Sequence, residues 1–141
     1  MVNFFTLFKI LVEALIQLGA NIEYLENEGF PPIKITGQKL TSSRVSLPAN
    51  VSSQYISALL LIAPSLENGL KLELSGEITS ISYINMTLKL LSEIGVETSA
   101  VGNLIIVKPS IQNPTPKTLV VESDWSSASY YYSIIALSKM G

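Results

Sequence analysis

A short stretch near the start of the chain recurs about 75 residues later, and this repeat limits the folds open to it. Leu15-Ile16-Gln17-Leu18-Gly19 has its counterpart in Leu91-Ser92-Glu93-Ile94-Gly95, 76 positions on. Each copy ends an apolar, helix-periodic segment on glycine, the residue that most readily takes the left-handed backbone closing a helix. Each is followed by a strand, a turn and a second strand, then by a short strand and a helix opening with serines. Ser52-Ser53-Gln54-Tyr55 answers in this way to Ser126-Ser127-Ala128-Ser129-Tyr130, about 74 positions later. Two copies are too few for a solenoid, in which stacked neighbours supply the core. The repeat predicts a larger assembly of α/β units, of which this chain holds nearly two.

Hydrophobic periodicity supplies the elements. A helix is expected over residues 7–18, with Leu11, Ala14, Leu15 and Leu18 on one face. Strands are expected at 22–25 and 33–35, around a turn at 27–32, and at 44–47. A helix at 52–62 closes at Ala63-Pro64, and a strand follows at 70–74. Then come a helix at 81–94, a strand pair at 96–98 and 104–107, a strand at 118–121, and a last helix at 126–138. The segments 55–63 and 130–137 are apolar on nearly every face, the mark of a buried helix. The helix at 81–94 instead keeps a polar stripe of Lys89, Ser92 and Glu93. The fold class expected is α/β, with repeated βαβαββ-type units and buried parallel helices. The unit boundaries fall at 1–75 and 76–123, with 124–141 a separate helical segment.

Composition removes several function classes. Hydrophobic residues make up 48% of the chain and charged residues 14%. So few charges predict a chain that packs much of its surface away, some of it against a further surface. Net charge is −2 and Arg44 is the only arginine. Without a basic stripe, nucleic-acid binding is not expected. There is no cysteine, hence no disulfide or thiolate metal site. There is no histidine, hence neither the commonest general base nor the commonest metal ligand. The apolar start, residues 1–20, is interrupted by Lys9 and Glu13, and no small-residue cleavage site follows. It reads as an amphipathic helix, not as a signal peptide or a membrane span. The glycosylation patterns at Asn50-Val51-Ser52 and Asn85-Met86-Thr87 then read as chance, and a cytoplasmic location is expected.

The hydroxyl-bearing helix starts carry the chemistry. A helix start leaves about four N–H groups unpaired and carries roughly half a positive charge, so phosphate binds there readily. Ser52 and Ser53 add hydroxyls at one such start, and Gln54 adds an amide. Ser80 precedes the next helix, and Ser126 and Ser127 open the last. Ordinary N-capping by serine gives the same pattern at any single site. Three starts of this kind, two of them related by the repeat, weaken that reading for the set and leave anion binding open beside it. No catalytic constellation accompanies them. Glu122 and Asp124 alternate faces if they lie on a strand, and Asp124 reads as a helix cap or first-turn charge.

Taken in order, these segments resemble the enolpyruvyl transferases, and among them the 5-enolpyruvylshikimate-3-phosphate synthase family. Val51-Ser52-Ser53-Gln54-Tyr55, followed by the apolar run Leu59-Leu60-Leu61-Ile62-Ala63-Pro64, is similar to the family's Ser-Ser-Gln-Phe/Tyr segment and its helix. Ser80-Ile81-Ser82-Tyr83-Ile84 resembles its Ser-x-Pro-Tyr-Ile segment. Glu122-Ser123-Asp124-Trp125-Ser126-Ser127-Ala128-Ser129-Tyr130 resembles its Asp-x-Ser-Ala-Ser-Tyr stretch. The resemblance implies part of one lobe of a two-lobed fold, with residues 124–141 leading into the second lobe. It implies transfer of the enolpyruvyl group of phosphoenolpyruvate to the 5-hydroxyl of shikimate 3-phosphate, by addition and elimination, without metal or cofactor. It implies substrate-binding roles for Ser52, Ser53, Gln54 and Ser80 toward shikimate 3-phosphate, and places Tyr83 in the site wall. Ser82 stands where the family has proline, and Asn85 where aspartate is common. The family's early lysine, glycine-rich loop, arginine clamps and late catalytic aspartate and lysine have no counterpart here. The chain is therefore expected to be an internal fragment, inactive alone, with self-association possible through its exposed lobe face. Two other readings are weighed: a fragment of the related UDP-N-acetylglucosamine enolpyruvyl transferase, and a non-catalytic α/β binding module.

Overall fold

The computed structural model describes residues 4–78, 81–110, 118–121, 123 and 125–138. Along the chain run α1 (Phe4–Gln17), β1 (Asn21–Tyr24), β2 (Ile33–Thr36), β3 (Arg44–Pro48) and α2 (Ser53–Ile62). A 3₁₀ turn (Ala63–Ser65) leads on to β4 (Leu70–Ser75), α3 (Ile81–Glu93), β5 (Thr98–Val101), β6 (Leu104–Val107) and α4 (Trp125–Leu137).

The repeat survives down to individual hydrogen bonds. After α1, the Gly19 N–H donates to Ile16 O at 2.9 Å and the Ala20 N–H to Leu15 O at 2.9 Å. After α3, Gly95 donates to Ser92 O and Val96 to Leu91 O, again both at 2.9 Å. This paired closure requires a left-handed residue after the helix, and Gly19 and Gly95 supply it with φ of 101° and 91°. Each helix then feeds an antiparallel hairpin, β1–β2 or β5–β6. The copies differ in what the hairpin joins. β5–β6 completes a four-stranded sheet of order β3-β4-β6-β5, in which β3 and β4 are parallel and the other pairs antiparallel. β1–β2 forms a separate two-stranded sheet.

β3 is an edge strand, and α1 covers part of that edge. The Gln17 amide accepts from the Ser46 N–H at 2.8 Å and donates to Ser46 O at 3.3 Å. One side chain thereby stands in for a strand partner at a position that invites wrong pairing.

The sheet alternates strictly. Val45, Leu47, Leu70, Leu72, Leu74, Ile105 and Val107 point inward and are buried, while Arg44, Ser46, Lys71 and Glu73 face outward. The inward face meets Ile56, Leu59 and Leu60 of α2, Ile84, Leu88 and Leu91 of α3, and Ala14 of α1 with Leu18 just after it. Each buried valine, leucine and isoleucine here gains about 1.5–3 kcal/mol on leaving water.

The direction of the helices follows from the sheet. β3 and β4 are parallel, so α2 must return the chain antiparallel to both. β5 runs antiparallel to β6, which runs antiparallel to β4, so β5 is parallel to β4 and α3 is a second return. α2 and α3 therefore run parallel, with their starts side by side at the carboxyl ends of β3 and β4. In open α/β sheets, ligands bind at those ends.

Three expectations need correction. Residues 118–121 form no strand: Val120 and Val121 are 86% and 93% exposed, and among the described residues no strand takes their backbone hydrogen bonds. The strand expected at 96–98 begins instead at Thr98 and pairs through Val101 with Leu104. The last helix forms but is not buried, and none of its residues lies in the core. Its apolar residues are spread around the whole circumference, a pattern suited to burial, yet α4 contributes nothing to the core and Tyr130, Tyr131, Tyr132, Ile134 and Ile135 stay exposed. α2 matches expectation on one side only, since Leu61 is 57% exposed.

One contact makes hairpin docking depend on pH. Lys9 on α1 donates to the Glu28 carboxylate at 2.6 Å and lies 3.7 Å from Glu13. Its aliphatic stem packs beside Gly29. The hydrogen bond to Lys9, reinforced by its charge, holds Glu28 below the ordinary carboxylate value. The same bond raises Lys9 above the ordinary lysine value. Because Glu28 is lowered, its contribution is complete above the unfolded carboxylate pKa and is lost as pH falls through the lower folded value. Because Lys9 is raised, its contribution is complete below the unfolded lysine pKa and is lost as pH rises through the higher folded value. The Gly29 amide resonance is expected to titrate in acid with a midpoint below that of an ordinary glutamate. A midpoint at the ordinary value would show that the bond does not persist in solution.

Candidate functional site

The loop between β3 and α2 is short and tied down. The Ala49 N–H extends the β3–β4 ladder to Ser75 O at 2.8 Å, and the Val51 N–H turns back to Pro48 O at 3.3 Å. Ala49 and Val51 are buried, which anchors the loop in the core. Ser52 caps α2: its backbone is extended (φ −57°, ψ 131°) and its Oγ accepts from the Gln54 N–H at 3.4 Å, a long and weak bond. Ser53 opens the helix, and its N–H has no partner among the described residues. Ser52 and Ser53 are half-buried and the Gln54 side chain is exposed. The start of α2 therefore presents a free N–H, two hydroxyls and an amide to a surface backed by core.

The neighbouring start belongs to α3. Tyr83 lies in its first turn and is 60% exposed. The loop leading into α3 is held from the β5–β6 turn. The Asn103 side-chain amide donates to Leu74 O and to Gly76 O, both at 2.7 Å, while its backbone carbonyl accepts from the Leu74 N–H at 2.9 Å. Ser80, the remaining candidate of this set, lies outside the described residues, as do Glu122 and Asp124. The third hydroxyl-bearing start opens α4, one residue earlier than expected. There the Ser129 hydroxyl donates to Ser126 O at 2.6 Å and the Ser133 hydroxyl to Ser129 O at 2.8 Å, so both are taken up within the helix.

Of the five candidate residues, four are described, and they lie on two parallel helix starts set side by side. Sequence reasoning missed Asn103, which fixes the approach to α3. The Gly102-Asn103 pair marks a two-residue hairpin turn, yet nothing local shows that its amide reaches back to β4. Arg44 does not join the site. It sits at the opposite end of β3, about 13 Å along the strand from Pro48, on the outward face. There, with Gln17, Ser46, Lys71, Glu73, Leu104 and Ile106, it lines an open concavity of about 500 Å³. That concavity lies across the sheet from α2 and α3, and its Gln17 and Ser46 already satisfy each other.

A model of the EPSP synthase family, described as EPSP synthase (3-phosphoshikimate 1-carboxyvinyltransferase), matches residues 8–140. The chain is 56% identical over 131 residues to a 3-phosphoshikimate 1-carboxyvinyltransferase of Bacteroides fragilis, covering 92% of this chain and 32% of that protein. It is 42% identical over 128 residues to the protein of the same name from Pasteurella multocida, covering 90% of this chain and 29% of the other. The solved EPSP synthase of Acinetobacter baumannii superposes with a TM-score of 0.63 at 26% identity, over 87% of this chain and 26% of that one. The chain thus spans about a third of the length of the relatives it matches. No helix among the described residues is long and apolar enough to cross a membrane.

Proposed function

The chain belongs to the EPSP synthase family, and on that premise we propose that it carries part of the shikimate 3-phosphate site of an enolpyruvyl transferase. The observation that supports this most is the start of α2, where a half-buried Ser52-Ser53 pair, an unpartnered N–H and the Gln54 amide face outward together. A phosphate monoester fits such a start because the N–H, the hydroxyls and the helix dipole all favour negative charge. Ser52 and Ser53 take the 3-phosphate, Gln54 takes a ring hydroxyl and faces phosphoenolpyruvate, and Ser80, which lies outside the described residues, is assigned to the same phosphate from its place in the motif alone. Tyr83 closes the wall beside them. The reaction served is attack of the shikimate 3-phosphate 5-hydroxyl on C2 of phosphoenolpyruvate, with a proton added at C3. Loss of phosphate and of a C3 proton from the tetrahedral adduct then leaves the enolpyruvyl ether. This chain supplies binding to that sequence and not its proton transfers in this reading, because the family's early lysine and its late catalytic aspartate and lysine have no counterpart among its residues.

Residues 1–75 and 76–123 form the two repeated units in this reading, and 124–141 lead into a second lobe. The exposed apolar faces of α3 and α4 favour self-association, and the location is cytoplasmic. In an NMR titration, shikimate 3-phosphate is expected to shift the Ser52, Ser53 and Gln54 amides with millimolar-scale affinity, about −4 kcal/mol. The chain alone, given both substrates, is expected to release no phosphate above background. Absence of shifts at tens of millimolar ligand (~50 mM, roughly tenfold above a weak millimolar Kd) would overturn the binding assignment, and turnover would overturn the division of labour.

A further inference from the structure

α2 and α3 touch through a polar contact inside an otherwise apolar interface. Thr87 of α3 is a buried polar residue, 4% exposed, and its Oγ1 lies 2.9 Å from the Ser57 Oγ of α2. The same Thr87 hydroxyl donates to the Tyr83 carbonyl at 3.0 Å. A hydroxyl has one proton. With that of Thr87 committed to Tyr83, Ser57 must be the donor in the contact between helices. A single directed chain results, from the Ser57 O–H to the Thr87 oxygen and from the Thr87 O–H to the Tyr83 carbonyl. In such chains each bond polarises the next.

The position of this chain gives it a consequence for the site. Ser57 follows Ser53 by four residues and Thr87 follows Tyr83 by four, so each pair shares a helix face, separated by about 6 Å of rise. The helices are parallel. The clasp therefore lies the same depth below both starts, with Ser53 above it on α2 and Tyr83 above it on α3. An apolar contact would let the helices slide or rotate at little cost, whereas a hydroxyl pair has a preferred distance and direction.

We propose that Ser57 and Thr87 are positioning residues, which act through the two helix starts and set their spacing for a phosphate monoester held between them. The proposal rests on the site assignment above and adds to it the residues that fix its width. Thr87→Val keeps the side-chain shape and removes both hydrogen bonds. Thr87→Ser keeps the hydroxyl.

In the NMR titration with shikimate 3-phosphate, Thr87→Val is expected to bind about fivefold more weakly than the unaltered chain, the factor that one ordinary hydrogen bond supplies. Thr87→Ser is expected to restore binding to within about twofold, well inside the factor of one hydrogen bond. The comparison is made on folded protein, with the sheet amides unshifted, so a purely structural role would lower the melting temperature and leave the affinity alone. If Thr87→Val does not fold, Ser57→Ala gives the same test from the half-exposed side. If the unaltered chain binds and Thr87→Val or Ser57→Ala binds equally well, the clasp is overturned and the site stands. If the unaltered chain itself shows no shift at Ser52–Gln54, the site assignment falls and the clasp falls with it.

Discussion

Replacing Gly69 by alanine is expected to destabilise the chain by about 3 kcal/mol, through two terms that add. Gly69 has φ +63°, where a side chain costs about 1–2 kcal/mol. A Cβ there would also lie 2.3 Å from the Val107 carbonyl oxygen and 3.0 Å from Pro109. The carbonyl is backbone and cannot swing aside. Leu70 and Val107 are register partners where β4 meets β6, so moving that oxygen opens the first rung of the ladder. One ladder hydrogen bond is worth about 1 kcal/mol. The melting temperature should fall by roughly 10 °C. Gly76 is the control: its φ is +99°, but a Cβ there meets nothing within 4 Å. Gly76→Ala should carry the backbone term alone. Equal losses at the two positions would show that the close approach of Gly69 to Val107 is not real.

The second large effect separates two helices that look alike in composition. Leu60 of α2 is fully buried beneath the sheet, and Leu60→Ala is expected to cost about 2–5 kcal/mol through lost burial and a residual cavity. Ile135 of α4 is 62% exposed, and Ile135→Ala should stay within about 0.5 kcal/mol. Its effect should appear in association instead. Sedimentation of the unaltered chain is expected to depend on concentration, because α4 shows apolar side chains on every side and so large an exposed surface seeks a partner. Replacing Ile134 and Ile135 together by lysine should return the chain to a monomer without lowering its melting temperature. A large stability loss at Ile135 would place α4 in the core, against its exposure. A monomer at every concentration would refute the proposed self-association.

These contrasts mark what could be read in the sequence. The repeat was legible because its signals are local: the Leu-Gly ending at Gly19 and the Ile-Gly ending at Gly95, the hairpins after them, and the serines at position 52. The start of α2 was legible for the same reason, since an N-cap and its free N–H groups lie within four residues. Strand 118–121 was misjudged because β-propensity describes a residue's fit to a sheet and says nothing of whether a neighbour exists. α4 was misjudged in the same way, since an apolar surface states a need for burial and not its fulfilment. Asn103, Gly69, and the Ser57–Thr87 pair were not legible. Each acts on a partner roughly 30 or more residues away, across a fold that periodicity does not specify in register or distance.

The central claim is that the paired starts of α2 and α3 recognise a phosphate monoester, and a comparison of two ligands tests it most directly. Shikimate 3-phosphate and shikimate differ only in the phosphate, so running both titrations on the same labelled chain isolates that group. Saturable shifts at Ser52, Ser53 and Gln54 with shikimate 3-phosphate, and none at the same concentration of shikimate, are the predicted result. Equal shifts from both ligands, or shifts from the phosphate ester that appear around Arg44 and Lys71 instead, would contradict it.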